Sequence, residues 1–338
     1  MDKTENLRSG RCADADLLRI IACFFVVMLH SCGAGSPTAV IMNSITRFSV
    51  PVFVMISGRF CLSADNTPGH YLKKCGRLML TFLLWSALYL LVDGDFSGNA
   101  GFWGVTCALL AGPQHFWYIY AAMALYLSAP ILRVFCRNAD KKLIGYFLLL
   151  TFLFGSVVNT LLAAGSVPLL KTIMAEMKAE KMLGFLCLFV FGFYFERFGL
   201  EKKQRTALYV LGGAGVVITA AGTLLMPLNT GGYDVLLFGF FTPNVLLYSA
   251  AVYVLVTELY KKHPAGERAC GTISGLAECS FGVYLLHVLV LRNVVEAAGF
   301  WAAMPVWISI ILRSAAAFCL TAAAVYLLRK IRFMRAVT

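Results

Sequence analysis

Arg19 and His30 are the first residues of this sequence whose types and spacing could do chemistry together. They lie in one apolar stretch, "LLRIIACFFVVMLHS" (17–31). On an α-helix, steps of about 100° bring them to within about 20° of the same face, roughly 16 Å apart along the axis. A guanidinium holds an anion, and an imidazole with an ordinary pKa of about 6.5 takes a proton near neutral pH. Ionisable groups at membrane depth are costly unless they face protein or a wet cavity, so two on one face describe a polar path running lengthwise. The alternative is that Arg19 reaches the interface with its long stem while His30 hydrogen-bonds a neighbouring helix. Position alone admits both.

The elements that must position this pair are membrane helices. The chain has 338 residues, 60% hydrophobic and 14% charged, with a mean hydropathy of +0.78. A soluble domain cannot hide that much apolar surface. Apolar windows predict about ten transmembrane helices near 15–33, 41–62, 73–92, 116–135, 143–163, 182–198, 206–226, 238–260, 274–294 and 305–328. The seventh, "LYVLGGAGVVITAAGTLLM", is rich in small residues that allow close packing. The expected fold is therefore all-α and polytopic, a single integral membrane domain over 1–338 with no separate soluble domain.

The net charge of +12 is a topology signal rather than a nucleic-acid footprint. With the N-terminus inside, one set of connections carries Lys3, Arg8, Arg11, Arg59, Lys73, Lys74, Arg77, Arg133, Arg137, Lys141 and Lys142. The later basic residues around 197–205, 261–268 and 329–335 fall on the same side. The opposite connections carry only Lys171, Lys178 and Lys181, which predicts both termini in the cytoplasm. The first apolar run keeps Arg19 and has no small-residue cleavage pattern, so it reads as a retained span. Eleven cysteines show neither a CxxC pair nor metal spacing, and no metal site or disulfide set is expected. Two outer connections are longer than a turn. Residues 101–113 read as a short interfacial or re-entrant helix. Residues 167–182 put Leu169, Leu170, Ile173, Met174 and Met177 on one stripe of a surface-lying amphipathic helix.

Four segments carry a resemblance: "DLLRIIACFFVVMLHS", "RFSVPVFVMISG" (47–58), "HFWYIYAAMALYLSAPILR" (115–133) and "SFGVYLLH" (280–287). Together they resemble acyltransferase family 3, bacterial inner-membrane O-acyltransferases with about ten core helices, over essentially the whole chain. The family's most specific signature, an arginine and then a histidine after ten residues, matches Arg19 and His30. Many members have Arg-x-x-Arg after the second span. This chain has Lys74-Cys-Gly-Arg77, which keeps the charge but loses one bidentate fork.

The resemblance implies transfer of an acyl group, often acetyl, from cytoplasmic acyl-CoA to a hydroxyl of an extracytoplasmic or lipid-linked cell-envelope glycan. It implies acetyl-CoA as co-substrate, with no permanently bound cofactor. Arg19, Lys73, Lys74 and Arg77 would meet the donor's phosphates. His30 would be the general base or an acyl carrier. Arg47, in the second span, would stabilise an oxyanion or the acceptor hydroxyl, unless it snorkels. His287 would orient His30 or bind acceptor, or make a helix contact. His115, Trp117 and Tyr118 would stack on a sugar, or form an interface belt. Ser57 and Gly58 read as packing residues, and Arg313 shares the ambiguity of Arg47. Asp93, Asp95, Asp234 and Glu296 are the candidate acids to orient His30. A transporter of polysaccharide or a small amino acid on the same architecture is the alternative function.

Overall fold

Pro51 has no N–H to offer the carbonyl of Arg47, and its ring crowds that carbonyl. The second expected span is accordingly two helices, α2 (Pro37–Thr46) and α3 (Ser49–Ser63), with Arg47 and Phe48 at the break. This computed structural model describes residues 13–33, 35–93, 101–164, 179–228 and 232–338. It is 86% helical, with no strands among the described residues. Eight helical runs are long and apolar enough to cross a membrane by length and composition, and the protein is an all-α polytopic membrane protein.

Those eight runs correspond to the second to fifth and seventh to tenth expected spans. The first and sixth expected spans form α1 (Ala13–Ser31) and α9 (Ala179–Phe198), each with charged residues near its ends. The remaining helices are α4 (Pro68–Asp93), α5 (Phe102–Ala111) and α6 (Trp117–Asn138). A π-helical turn joins α7 (Lys141–Phe152) to α8 (Val158–Ala164). Then come α10 (Lys202–Leu224), α11 (Pro243–Lys262), α12 (Glu267–Val290), α13 (Val306–Leu328) and the short α14 (Arg332–Val337). The 101–113 connection holds α5, whose Phe102 and Trp103 are exposed. The expected amphipathic helix falls mostly outside the described residues, since 165–178 are not described and Ala179 onward already belongs to α9. Lys3, Arg8, Arg11, Lys171, Lys178, the Lys181 side chain and Asp95 also lie outside them.

The helix bearing Arg19 and His30 is central. Helix α1 packs against α3, α11, α12 and α13, and Ala15, Leu18, Ala22 and Val27 are buried on it. Helices α3 and α9 meet backbone to backbone. A Cβ on Gly58 would stand 1.7 Å from the Phe189 carbonyl oxygen, and one on Gly192 1.9 Å from that of Met55. Only glycine permits this backbone-to-backbone seam.

Several residues assigned to the basic connections also do structural work. Arg59 is buried on α3, paired with Asp14 at 2.6 Å and Glu196 at 3.1 Å. Arg133 donates to the carbonyls of Ala64 and Asn66 at 2.9 and 2.7 Å, and Arg137 to that of Ser63 at 2.6 Å. Arg197 donates to the Cys136 carbonyl at 2.5 Å. Arg133, Arg137 and Arg197 thus satisfy carbonyls at or just beyond helix C-termini. Arg137 also hydrogen-bonds Asp65, which holds that exposed carboxyl below its ordinary range. Every described cysteine is a free thiol.

Candidate functional site

A cavity of about 580 Å³ runs along one face of α1 and takes in both Arg19 and His30. The helical period that puts them on one face therefore points that face at protein-lined space rather than at lipid. His30 is exposed within it. Its wall is completed by α3, α4, α6 and α12, with Arg47 and Phe240 at the His30 end and Lys74, Arg77 and Arg335 at the Arg19 end.

The Arg19 end is a cationic rim. Arg19 is tied to Asp16 at 2.6 Å, one helical turn earlier, and Asp16 also accepts from Ser274 at 3.0 Å. Lys74 Nζ sits 3.8 Å from the centre of the Tyr126 ring. Arg77 is exposed, with neither an ion pair nor a hydrogen bond among the described residues. Arg335 was not legible in the sequence as a site residue. It arrives because α14 turns back under the bundle, anchored where Trp85 Nε1 donates to the Val337 carbonyl at 3.0 Å. Its own Nε donates to the Arg329 carbonyl at 3.1 Å. Lys73 is exposed on α4 and is not part of the cavity wall.

At the other end the helix break presents Arg47. Its guanidinium donates to the Phe238 carbonyl at 3.3 Å and to Asn43 Oδ1, and it lies 4.4 Å from the Phe238 ring centre. Its Nε is buried without a partner, and no carboxylate pairs with it among the described residues. Trp117 faces the same space, stacked on Phe240 at 5.7 Å. Tyr118 lines it nearer the middle, with Ser57. Gly58 is taken up by the seam to α9.

Three histidines converge here. The His30 ring lies 5.0 Å from that of His287 and 5.8 Å from that of His115, and the last two are 5.2 Å apart. His115 lines the cavity, while His287 is fully buried behind it. The sequence placed each on a different span but held no signal that the three would meet. No group of three His, Cys, Asp or Glu among the described residues has the arrangement of a metal site.

Three of the four acids expected to orient His30 are described, and each is engaged elsewhere, while Asp95 lies outside the described residues. Asp93 pairs with Arg292, and Glu296 with Arg313 at 3.1 Å. Asp234 accepts from the Leu236 backbone N–H at 2.8 Å. No Asp or Glu lines the cavity among the described residues. Ser31 Oγ donates to the Val27 carbonyl at 3.2 Å, one turn back on its own helix.

The arrangement is thus a passage lined by no acid among the described residues, with arginine and lysine at one end, an open imidazole deeper in, and an arginine beside that imidazole. Such a space favours an anionic ligand at its rim and charge development on oxygen near His30. A family model described as an acyltransferase domain matches residues 13–330. No curated protein and no solved structure matches the chain.

Proposed function

This chain belongs to the acyltransferase domain family, and from that premise we propose that it is an O-acetyltransferase of the bacterial cytoplasmic membrane. It takes acetyl from acetyl-CoA on the cytoplasmic side, where the basic end of the bundle and both termini lie. It delivers acetyl to a hydroxyl of an extracytoplasmic or lipid-linked cell-envelope glycan. Membership itself makes the protein a membrane acyltransferase; donor, acceptor and residue roles are the proposal.

Arg19, Lys74, Arg77 and Arg335 hold the donor's phosphates at the rim, so that its acyl thioester reaches inward toward His30. The acceptor hydroxyl has a pKa far above neutrality and attacks poorly without a base. One nitrogen of His30 takes its proton as the oxygen forms a bond to the acyl carbon. The negative charge that appears on the acyl oxygen is met by Arg47. The carbon–sulfur bond then breaks, and the departing thiolate takes the proton back from His30. Trp117, stacked on Phe240, offers the acceptor sugar an apolar face beside the reacting centre.

One observation carries this reading: a single cavity, with no acidic side chain among its described lining residues, joins the cationic rim to His30. The test is CoA release from acetyl-CoA by the purified protein in nanodiscs. His30→Ala is expected to abolish release while inserting and expressing as the parent does. Undiminished turnover in that variant removes His30 from the chemistry. Solute uptake into proteoliposomes with no acyl chemistry points to a transporter instead.

A further inference from the structure

A histidine that takes a proton in a reaction is ordinarily backed by an acceptor for its other ring N–H, most often a carboxylate. Among the described residues His30 has no such partner. No hydrogen bond to it is formed, and no Asp or Glu lines its cavity. What stands closest is His287.

Hydrogen-bond accounting fixes the state of that ring. His287 Nδ1 lies 3.1 Å from the Val283 carbonyl oxygen and 2.8 Å from that of Tyr284. Carbonyl oxygens only accept, so Nδ1 carries the proton and donates. The neutral ring then presents Nε2 as a bare lone pair. That atom is buried without a partner in a residue with 0% exposure, and a buried acceptor left unpaired is costly. Its ring centre is 5.0 Å from that of His30, close to the ~5 Å expected for two imidazoles joined by one N–H···N bond of about 2.9 Å. The two rings are tilted by 55°, and the His30 ring, which holds no hydrogen bond among the described residues, would have to turn to make that bond.

The neighbour on the other side is accounted for in the same way. Tyr89 has one hydroxyl proton, which goes to the Leu285 carbonyl at 3.0 Å. His115 Nε2, 3.4 Å from the same hydroxyl oxygen, is therefore the donor of that pair. His115 is thus held by Tyr89 through Nε2, and His287 is the one of the two whose unpartnered nitrogen is buried among the described residues.

We propose that His287 is the positioning residue behind His30, in the place that a carboxylate takes in other base-catalysed acyl transfers. One ring N–H of His30 donates to His287 Nε2, which leaves the other His30 nitrogen as the lone pair facing the acceptor hydroxyl. When that nitrogen takes the hydroxyl proton, the bond to His287 strengthens and supports the imidazolium. No proton passes to His287, and the one on His30 leaves with the thiolate. A neutral acceptor suits this position because Arg47 lines the same cavity and would compete for a carboxylate. This inference rests on the acyl-transfer reading above.

The test uses the full chain in nanodiscs, with acetyl-CoA as donor, water as acceptor and CoA release resolved by chromatography. His287→Phe keeps a ring but removes the acceptor, and His287→Gln returns a neutral acceptor. The expected result is a fall in kcat of about 10- to 100-fold for H287F, with the acetyl-CoA KM within about twofold of the parent. H287Q recovers about fivefold or more over H287F. In a ¹⁵N-histidine spectrum of the resting protein, the His287 Nε2 resonance moves when His30 is changed to Phe. Parental kcat in H287F, equal rates in H287F and H287Q, or an Nε2 resonance indifferent to H30F would each overturn the proposal. Should H287F fail to insert, H287Q and the spectrum decide. Should the parent protein release no CoA at all, the acyl-transfer reading fails, while the spectrum still tests the pairing of the two rings.

Discussion

Arg313 donates to the carbonyl oxygen of Ser31 at 3.0 Å, so α13 holds the last turn of the helix that carries His30. That carbonyl has no partner within its own helix. The same guanidinium pairs with Glu296 at 3.1 Å, which explains why Glu296 is not available to His30. Arg313 therefore acts on the site through α1, without lining the cavity.

Arg313→Ala should lower kcat for CoA release about tenfold and leave the acetyl-CoA KM within about twofold, because it loosens the base and not the donor rim. Arg313→Lys, which can still reach the carbonyl, should recover part of the loss. Steady-state kinetics on the three proteins checks this. A change confined to KM would contradict it.

Arg47→Ala should lower kcat by about 100-fold or more, the usual loss when one donor to a developing oxyanion is removed. Arg47→Lys restores charge but not the fork, and should stay well below the parent. If Arg47 instead binds the donor, the loss appears as a raised acetyl-CoA KM, which the same measurements resolve.

Arg77→Ala and Arg335→Ala should each raise the acetyl-CoA KM about tenfold with kcat within about threefold, as expected for a charge-assisted contact to a phosphate. Lys73→Ala, outside the cavity wall, should change neither. A variant of Trp85 that cannot donate to the Val337 carbonyl, Trp85→Phe, should resemble Arg335→Ala by releasing α14.

Gly58→Ala should destabilise the protein by at least ~1–3 kcal/mol, since the new methyl would sit 1.7 Å from a backbone oxygen that cannot swing away. A thermal melt in detergent reads this out. An unchanged melting temperature would mean that the α3–α9 seam opens more readily than its geometry implies.

Cysteines introduced at the exposed positions Lys203 and Phe102 test the orientation. With the basic end in the cytoplasm, Lys203→Cys should be labelled by a membrane-impermeant thiol reagent only after cells are opened. Phe102→Cys should react from outside.

The sequence makes one half of the site readable and hides the other. Arg19 and His30 could be aligned in advance because a single helix relates them through its own period, and the cavity receives both. Pro51 is a local signal for the break that presents Arg47. By contrast, the meeting of His30, His115 and His287 depends on how α1, α12 and the short turn at Gln114–Phe116 that leads into α6 are placed against one another. Helix rotation is set by tertiary packing, which no local pattern records. Arg335 needs the chain to double back after α13. An arginine near a span end, such as Arg59, reads equally as loop charge or buried partner. Only the positions of Asp14 and Glu196 separate the two.

The glycine seam has a consequence for what can be carried. Phe53, Ile56, Ser57 and Phe60 on α3 form one side of the passage, and α3 is locked backbone to backbone onto α9. On the proposed acyl-transfer function, that side would keep a fixed width, and admitting bulkier acyl chains would take trimming of Phe53 or Phe60 rather than any loosening of the bundle.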